Sequence, residues 1–541
     1  MSESAQPSGI ETRELSLPAA LTERWLPLGV ATAMAAAAGF LVHQLLAWPP
    51  HEDETLALFV GRHDLDELFA IVLGQRGGAP LHFLLAWAVA HLDLGLGGLR
   101  AVSAVFAVAS LPLVALLARR LAGRREALVA TVLVAGSWML LFHGVYGRMY
   151  SLFLFTSTLS YLALLRALDR GGRRSWTLWV LAMLAVVATH PYGALVLGSQ
   201  GIFVLAARRD RLRAAVAPFG AVALLGMPFW LSTLVLAGRF DVGVGGGGSK
   251  LGNPLAVLEY LWRVAGAFTA GWWPITVPVL VLVAIGLRRL PRSSVVLSAC
   301  VVGTPTVAFL AARLGNATSP ETRHLIFALP FFALALAAGF VRLGRAAPAA
   351  LAVLLVAQVA WAWERTPALF EWEPPVRQVA RAEASAYLAK TSRPDDLLFG
   401  YEPLYLGAWE QNRAFPLAVL PRADAALTLS TLLELERPLG RGLWIFDASA
   451  NNNISPRLHI RLRHPRPAAA FQVRRFGPFL VLRTVDPVGT QAHYLERAGQ
   501  AMLVGKSLWI GDADINLVTI ERAARELRGY GVTRSLSTSS R

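Results

Sequence analysis

Eleven apolar runs bounded by charge set the terms for any fold of this chain. They fall at about 27–48, 100–118, 126–143, 150–166, 176–190, 192–207, 213–237, 263–287, 294–312, 324–341 and 347–363. A helix of about 20 residues crosses the roughly 30 Å hydrocarbon core of a bilayer, and most of these runs approach that length. The runs fill most of the first 365 residues, and only 16% of the whole chain is charged. A soluble protein of 541 residues carries far more charge, so this is a polytopic membrane protein.

Arginine placement orients the runs. Clusters stand at Arg119-Arg120 with Arg124-Arg125, at Arg166, Arg170 and Arg173-Arg174, and at Arg208-Arg209, Arg211 and Arg213. Two more stand at Arg288-Arg289 with Arg292 and at Arg342 with Arg345. The stretch 80–92 would make a helix of only about 20 Å, short of the hydrocarbon core. If it lies on the membrane surface, all five clusters fall on the side of the N-terminus, which the positive-inside rule makes cytoplasmic; if it spans, all five move to the opposite side. The first arrangement is the consistent one. Residues 1–26 are then a cytoplasmic tail, 49–99 a long external loop with a surface helix, and the C-terminal region is external. The run 27–48 is too long for a signal-peptide core and lacks a basic flank, so it reads as an uncleaved span. The net charge of +16 follows from this topology and is no nucleic-acid footprint. The single cysteine, Cys300, sits in an apolar run, which excludes a disulfide framework or a cysteine metal site within one chain.

The runs 176–190 and 192–207 are short on both sides of His190-Pro191-Tyr192-Gly193, which predicts two spans turning at a depressed external floor. The loop 238–262 contains the glycine run 243–248, suited equally to a mobile lid or a plain linker. Beyond about 372 the composition changes. An amphipathic helix over 376–390, strand-like runs at 397–401, 442–446 and 479–485, and a helical pattern over 520–527 predict an external α/β domain, 374–530. The Ser/Thr-rich end, 531–541, reads as a disordered tail.

Polar groups collect at one boundary of the bilayer. His51-Glu52-Asp53-Glu54 follows the first span, Arg148 and Tyr150 the third, His190 and Tyr192 the fifth, and Arg323-His324 precedes the tenth. Carboxylates there can accept a proton, and arginines can bind a phosphate at headgroup level. Asp64, Asp66 and Glu67 read as a wetted surface, and no spaced carboxylate set accompanies Asp53; a divalent cation (Mg or Mn) near it stays open. The sequon Asn316-Ala317-Thr318 is a chance-level match.

These motifs in this order resemble a known family. An acidic pair after the first span is followed by Ala79-Pro80-Leu81-His82 and by Leu-Leu-Ala-Arg-Arg-Leu-Ala-Gly-Arg-Arg at 116–125. Then come Gly147-Arg148-Met149-Tyr150-Ser151-Leu152, Thr189-His190-Pro191-Tyr192-Gly193, and Arg323-His324-Leu325 leading into Leu329-Pro330. Over residues 27–345 the chain resembles the membrane-embedded GT-C glycosyltransferases, in the branch of the protein O-mannosyltransferases and the lipid A aminoarabinose transferase. It departs where the family often has His-Pro-Pro and Arg-Tyr-Leu; here Ala79-Pro80-Leu81 and Arg323-His324-Leu325 stand.

The resemblance implies an all-α polytopic GT-C domain over 27–365, with about eleven spans, and a C-terminal extracytoplasmic α/β domain, in a multi-pass plasma-membrane protein. It implies inverting transfer of a sugar from a polyprenyl-phosphate donor to a lipid, cell-wall glycan or protein acceptor on the outer face. Asp53 would be the general base and Glu54 would orient the acceptor or Asp53, with Glu52 leaving open which carboxylate is the base. Arg148, Arg323, His324 and Lys250 would hold the donor phosphate; Tyr150, His190, Tyr192 and His82 would contact substrate. A lipid or glycan transporter and a non-catalytic scaffold are the alternatives. A transporter would carry its polar residues near mid-membrane.

Overall fold

The computed structural model describes residues 19–45, 47–75, 79–239, 251–315, 321–365, 375–422, 425–435, 438–447, 469–507 and 511–538. The glycine run 243–248, Lys250 and the sequon at 316–318 lie outside these residues.

The apolar runs are helical. Among the described residues, six single helices are long and apolar enough to cross a membrane: Trp25–Gln44, Gly95–Leu121, Tyr150–Arg170, Arg292–Ala312, Thr322–Arg342 and Gly344–Trp361. Three more candidates are bent pairs: Arg124–Ala135 with Trp138–Val145 at 50°, Arg209–Leu225 with Met227–Leu234 at 55°, and Pro254–Phe268 with Trp273–Leu287 at 89°. Length therefore supports six crossings, or nine if each pair counts once, in place of the expected eleven. The other two runs form the helices Arg173–Thr189 and Gly193–Ala207, of 17 and 15 residues. At about 25 Å or less each falls short of the hydrocarbon core, and they meet at His190-Pro191-Tyr192.

The expected straight span 263–287 needs correction. Its chain turns 89° between Phe268 and Trp273, and the first helix of the pair already starts at Pro254, inside the segment read as a loop. Gly271 makes the turn with φ 74°, and a Cβ there would stand 2.1 Å from the Trp361 indole, so only glycine fits.

Three helices of the bundle are registered by a buried polar ladder. Trp179 Nε1 donates to Gln200 Oε1 at 2.7 Å, Gln200 Nε2 donates to Ser160 Oγ at 2.9 Å, and Tyr161 OH pairs with Ser199 Oγ at 2.7 Å. With no water to compete, such bonds fix which turn of one helix faces which turn of the next.

The C-terminal region is built on a mixed five-stranded sheet of order β2-β1-β3-β5-β4. The strands are β1 Leu397–Phe399, β2 Val419–Leu420, β3 Gly442–Asp447, β4 Phe471–Phe476 and β5 Phe479–Thr484. β2, β1 and β3 run parallel, while β5 is antiparallel to both β3 and β4. Alternate strand residues feed two cores. Leu397, Phe399, Trp444 and Leu482 pack under the helices Ala425–Glu434, Gln491–Ser507 and Gly511–Thr538. The last helix runs to Thr538, into the stretch expected to be disordered, because an established helix adds one bond per residue and no proline interrupts it.

The opposite sheet face, with Leu398, Leu443, Ile445 and Val481, shares its core with the segment between the first two long helices. Phe59, Leu68, Phe83 and Ala86 of that segment pack with Tyr405, Trp409 and Phe415. Phe59 stands 6.5 Å from the Tyr405 ring and 6.1 Å from that of Trp409. Helices Glu52–Gly61 and Pro80–His91 cross closely here: a Cβ on Gly61 would lie 2.7 Å from the Ala86 carbonyl carbon. The helix Pro80–His91, expected at the membrane surface, is packed between the bundle and the sheet.

Candidate active site

The site is built on the first turn of the helix Glu52–Gly61. His51 is its N-cap in an extended conformation, with Nδ1 accepting from the Asp53 amide at 3.1 Å. The Glu54 carboxylate reaches back to the His51 amide at 3.0 Å and closes a capping box. This turn holds three consecutive carboxylates, and each meets different partners.

Glu52 pairs with Arg422, which also donates to Glu402 Oε1 at 2.8 Å. Glu54 is wholly buried. Arg100 donates to both of its oxygens, Nε at 2.8 Å and Nη2 at 2.7 Å, and the Gly147 amide adds a third bond at 2.8 Å. Arg100 spends its remaining hydrogens on the carbonyls of Leu45, Trp48 and Pro49 at 3.0, 2.6 and 3.0 Å. The expectation that Glu54 orients an acceptor is therefore corrected: with no accessible surface and every lone pair engaged, it can touch only the protein.

Asp53, with 28% of its side chain exposed, faces a tyrosine and two arginines. Its Oδ2 accepts from Tyr146 OH at 2.5 Å and lies 3.7 Å from Arg148 Nε and 3.9 Å from Arg323 Nη2. Burial works to raise its pKa. Arg148, His51, the Tyr146 hydroxyl and Arg323, in that order, outweigh it and hold the carboxyl well below the usual carboxylate range. The Tyr146 hydroxyl is pushed far up, by burial and then by Asp53, so it keeps its proton and donates.

The arginines are themselves short of acceptors. The Nε–H of Arg148 and that of Arg323 are buried and make no hydrogen bond. Glu321 Oε2 comes within 2.6 Å of Arg323 Nε as an ion-pair contact, off the axis a hydrogen bond needs. The Arg323 guanidinium lies over the rings of Tyr150 and Tyr146, at 5.1 and 5.7 Å. Buried donors of this kind are rare in a finished protein interior, and a bound anion would satisfy both.

Of the other nominated residues, Tyr150 is buried beneath Arg323. His82 is buried with Nε2 unpartnered, and burial, then Arg148, lowers its pKa to about 3, which keeps it neutral. Tyr192 and His324 are partly exposed, their rings 5.2 Å apart. His190 is only 2% exposed and has both ring nitrogens engaged, so the expectation that it contacts substrate is corrected. Lys250 lies outside the described residues. Asp64, Asp66 and Glu67 are exposed. Among the described residues, no group of three or more His, Cys, Asp or Glu side chains is placed to hold a metal ion.

Sequence reasoning missed Tyr146, Arg100 and Arg422. Arg100 carried a signal: a charge at the edge of an apolar run needs a partner. Tyr146 and Arg422 carried none.

No protein-family profile matches the chain, and no curated protein matches it significantly. Solved structures do. The crystal structure of ArnT from Cupriavidus metallidurans in the apo state is similar with a TM-score of 0.55 at 14% identity, over 86% of this chain and 98% of that one. The same protein bound to undecaprenyl phosphate gives a TM-score of 0.55 at 14% identity, over 85% and 98%. At that identity the likeness is one of fold, and the fold expected from the motifs, a helical bundle followed by a C-terminal α/β region, is the fold found.

Proposed function

We propose that this chain is a multi-pass membrane glycosyltransferase, with its N-terminus cytoplasmic and its C-terminal domain extracytoplasmic. It moves a sugar from a polyprenyl-phosphate donor to an acceptor on the outer face. The observation that carries this reading is the convergence of Arg148 and Arg323 on the partly exposed Asp53 carboxylate, at 3.7 and 3.9 Å, each with a buried Nε–H that makes no hydrogen bond. The fold likeness supports it, since the similar ArnT was crystallised with undecaprenyl phosphate.

The acceptor hydroxyl oxygen attacks the anomeric carbon as the bond from that carbon to the donor phosphate breaks, inverting the centre. Its proton passes to Asp53, and polyprenyl phosphate leaves with the bonding electrons. Arg148 and Arg323, with His324 beside them, take up the charge that develops on the phosphate, and Lys250 is a further candidate for that role from the sequence. Tyr146 aims the Asp53 carboxylate, and Glu54 with Arg100 fixes the turn that presents it. A carboxyl held far down is a poor base. However, the arginines that hold it down are those the donor phosphate would engage, so donor binding raises the basicity of Asp53 when the base is needed.

Broken helices also occur in transporters. The three breaks here fall at Gly136-Ser137, at Gly226 and at Thr269 to Trp272, and none carries an ionisable group. The charged cluster sits instead at helix ends.

The test is to offer purified protein a panel of polyprenyl-phosphate sugars and follow the freed lipid phosphate by mass spectrometry. It is run with Mg2+, with Mn2+ and with chelator, beside Asp53→Asn. Consumption of one donor by wild type and not by the variant supports the reading. If no donor is consumed under any condition, the transferase reading fails.

A further inference from the structure

Two histidines 134 residues apart form a chain of hydrogen bonds whose protons can be placed one at a time. The Tyr192 backbone amide, which can only donate, lies 3.0 Å from His190 Nδ1. Nδ1 therefore carries a lone pair, and the proton of a neutral His190 sits on Nε2. That Nε2 stands 3.0 Å from His324 Nδ1. His190 donates, His324 Nδ1 accepts, and the proton of His324 is left on its own Nε2. No bond of His324 Nε2 to the protein is present among the described residues. The rings are held against flipping: Phe153 stacks on His190 at 4.7 Å, while Tyr150 and Tyr192 flank His324 at 5.7 and 5.2 Å.

The wiring also excludes charge. A second proton on His324 would point at the His190 Nε2–H, and a second proton on His190 would point at the Tyr192 N–H. The surroundings act in the same direction, since burial, then His324, Arg148 and Arg323, hold the His190 pKa well below its usual value. The groups facing the pair are Arg323 on the turn that carries His324, Arg148 and Tyr150 at the start of the helix Tyr150–Arg170, Asp53, and Tyr192.

We propose that His190 is a positioning residue that fixes His324 in its Nε2–H tautomer, so that His324 gives an uncharged donor to a phosphate oxygen of the sugar donor beside Arg148 and Arg323. The phosphate contact rests on the transferase reading above; the relay does not. An uncharged N–H aims one oxygen without the added product affinity that a third cation would bring.

Protein labelled with nitrogen-15 at histidine, in nanodiscs, reads each tautomer directly by two-bond proton–nitrogen spectra. At neutral pH both residues are expected as Nε2–H, and polyprenyl phosphate is expected to shift the His324 Nε2 resonance. His190→Gln, whose carboxamide nitrogen replaces the Nε2–H donor, is expected to preserve the His324 tautomer. His190→Phe releases it and weakens polyprenyl-phosphate affinity about tenfold, the loss of one aimed hydrogen bond to a charged group. A wild-type His324 found as imidazolium or as Nδ1–H, or unchanged in His190→Phe, overturns the relay whether or not lipid phosphate binds. Correct tautomers with lipid phosphate bound and His324 undisturbed overturn the contact. Correct tautomers with no lipid-phosphate binding refute the transferase reading and the contact with it, and leave the relay supported.

Discussion

Two adjacent carboxylates should fail in opposite ways, and the difference can be worked out from their bonds. Four donors converge on Glu54: Arg100 through Nε and Nη2, the Gly147 amide and the His51 amide. In Glu54→Gln one oxygen becomes an NH2 group, so two of those donors then face a donor. Losing a bond to a charged group costs about 1.5–3 kcal/mol and losing a neutral one about 1 kcal/mol. The direct cost of opening a buried ion pair is about 3–5 kcal/mol, in the same range. The three carbonyls that also hold Arg100 keep it from being wholly orphaned and place the cost at the lower end, about 3 kcal/mol. That is a large share of the roughly 5–15 kcal/mol typical of a folded protein. Asp53→Asn opens no hydrogen-bonded ion pair: Arg148 and Arg323 stand 3.7 and 3.9 Å from its carboxylate and the amide oxygen still accepts from Tyr146, so its stability cost should be smaller than that of Glu54→Gln. Transfer should instead fall about 100- to 10,000-fold, the usual worth of a positioned base. Thermal unfolding in detergent, with transfer rates measured at saturating donor, separates the two signatures. Wild-type stability in Glu54→Gln, or wild-type transfer in Asp53→Asn, would refute the assignment of roles.

Other outcomes follow from the same geometry. In the free protein the folded pKa of Asp53 lies below its unfolded value near 3.9, so the stability this gives is complete above about pH 4 and lost as pH falls through the lower folded value. Because donor phosphate would compete for the arginines, the acid limb of kcat should lie at higher pH than that of kcat/KM; coincident limbs in the two pH profiles would count against donor-triggered basicity. Tyr146→Phe removes the bond that aims Asp53, and should lower kcat about tenfold with little change in donor KM; an unchanged kcat would show that the hydroxyl only packs. Trp409→Ala opens the shared core under Phe59 and should cost about 3–5 kcal/mol, read as a lower unfolding temperature, with transfer reduced in parallel; loss of neither would mean that the two layers are not coupled.

How much of this was legible in the sequence depended on distance along the chain. Helix-forming runs were visible because each carries its own hydrophobic signal, and three of the five strands, β1, β3 and β5, announced themselves as short apolar runs. The bends were less so. Gly136, Gly226 and Gly271 stood in plain view, but an apolar run containing glycine reads the same whether it continues or turns, and the decision at Gly271 lies with Trp361, far along the chain. Asp53, Arg148 and Arg323 were found by their common position at span ends. What was hidden was their supporting shell. Glu54 meets Arg100 across 46 residues and Glu52 meets Arg422 across 370, and local periodicity does not encode such pairings. For that reason the letters left open whether Glu54 orients an acceptor or Asp53, since a buried carboxylate and an exposed one look alike in a string of letters.

The helix explains why three carboxylates in a row are needed. Successive residues of a helix point about 100° apart, so Glu52, Asp53 and Glu54 fan out in three directions from one turn. Glu52 reaches the C-terminal region through Arg422, Glu54 reaches the helical bundle through Arg100, and Asp53 is left facing Tyr146 and the two arginines. The outer two act as guy lines. A rotation of the turn that moved Asp53 off Tyr146 would have to stretch one or both flanking ion pairs, and the closed capping box resists unwinding. The C-terminal region therefore bears on the chemistry through the protein itself: it anchors Glu52, packs Trp409 and Tyr405 on the far end of the same helix, and so helps to set the aim of Asp53. Neutralising Glu52 alone should relax one line and leave the other. Glu52→Gln is expected to keep the fold and lower kcat more than it raises donor KM, and restoring kcat by pairing Glu52→Arg with Arg422→Glu would show that the pairing, not the carboxylate itself, is what the reaction uses. If Glu52→Gln transfers at the wild-type rate, Arg100 and Glu54 hold the turn alone, and the link to the C-terminal region is structural only.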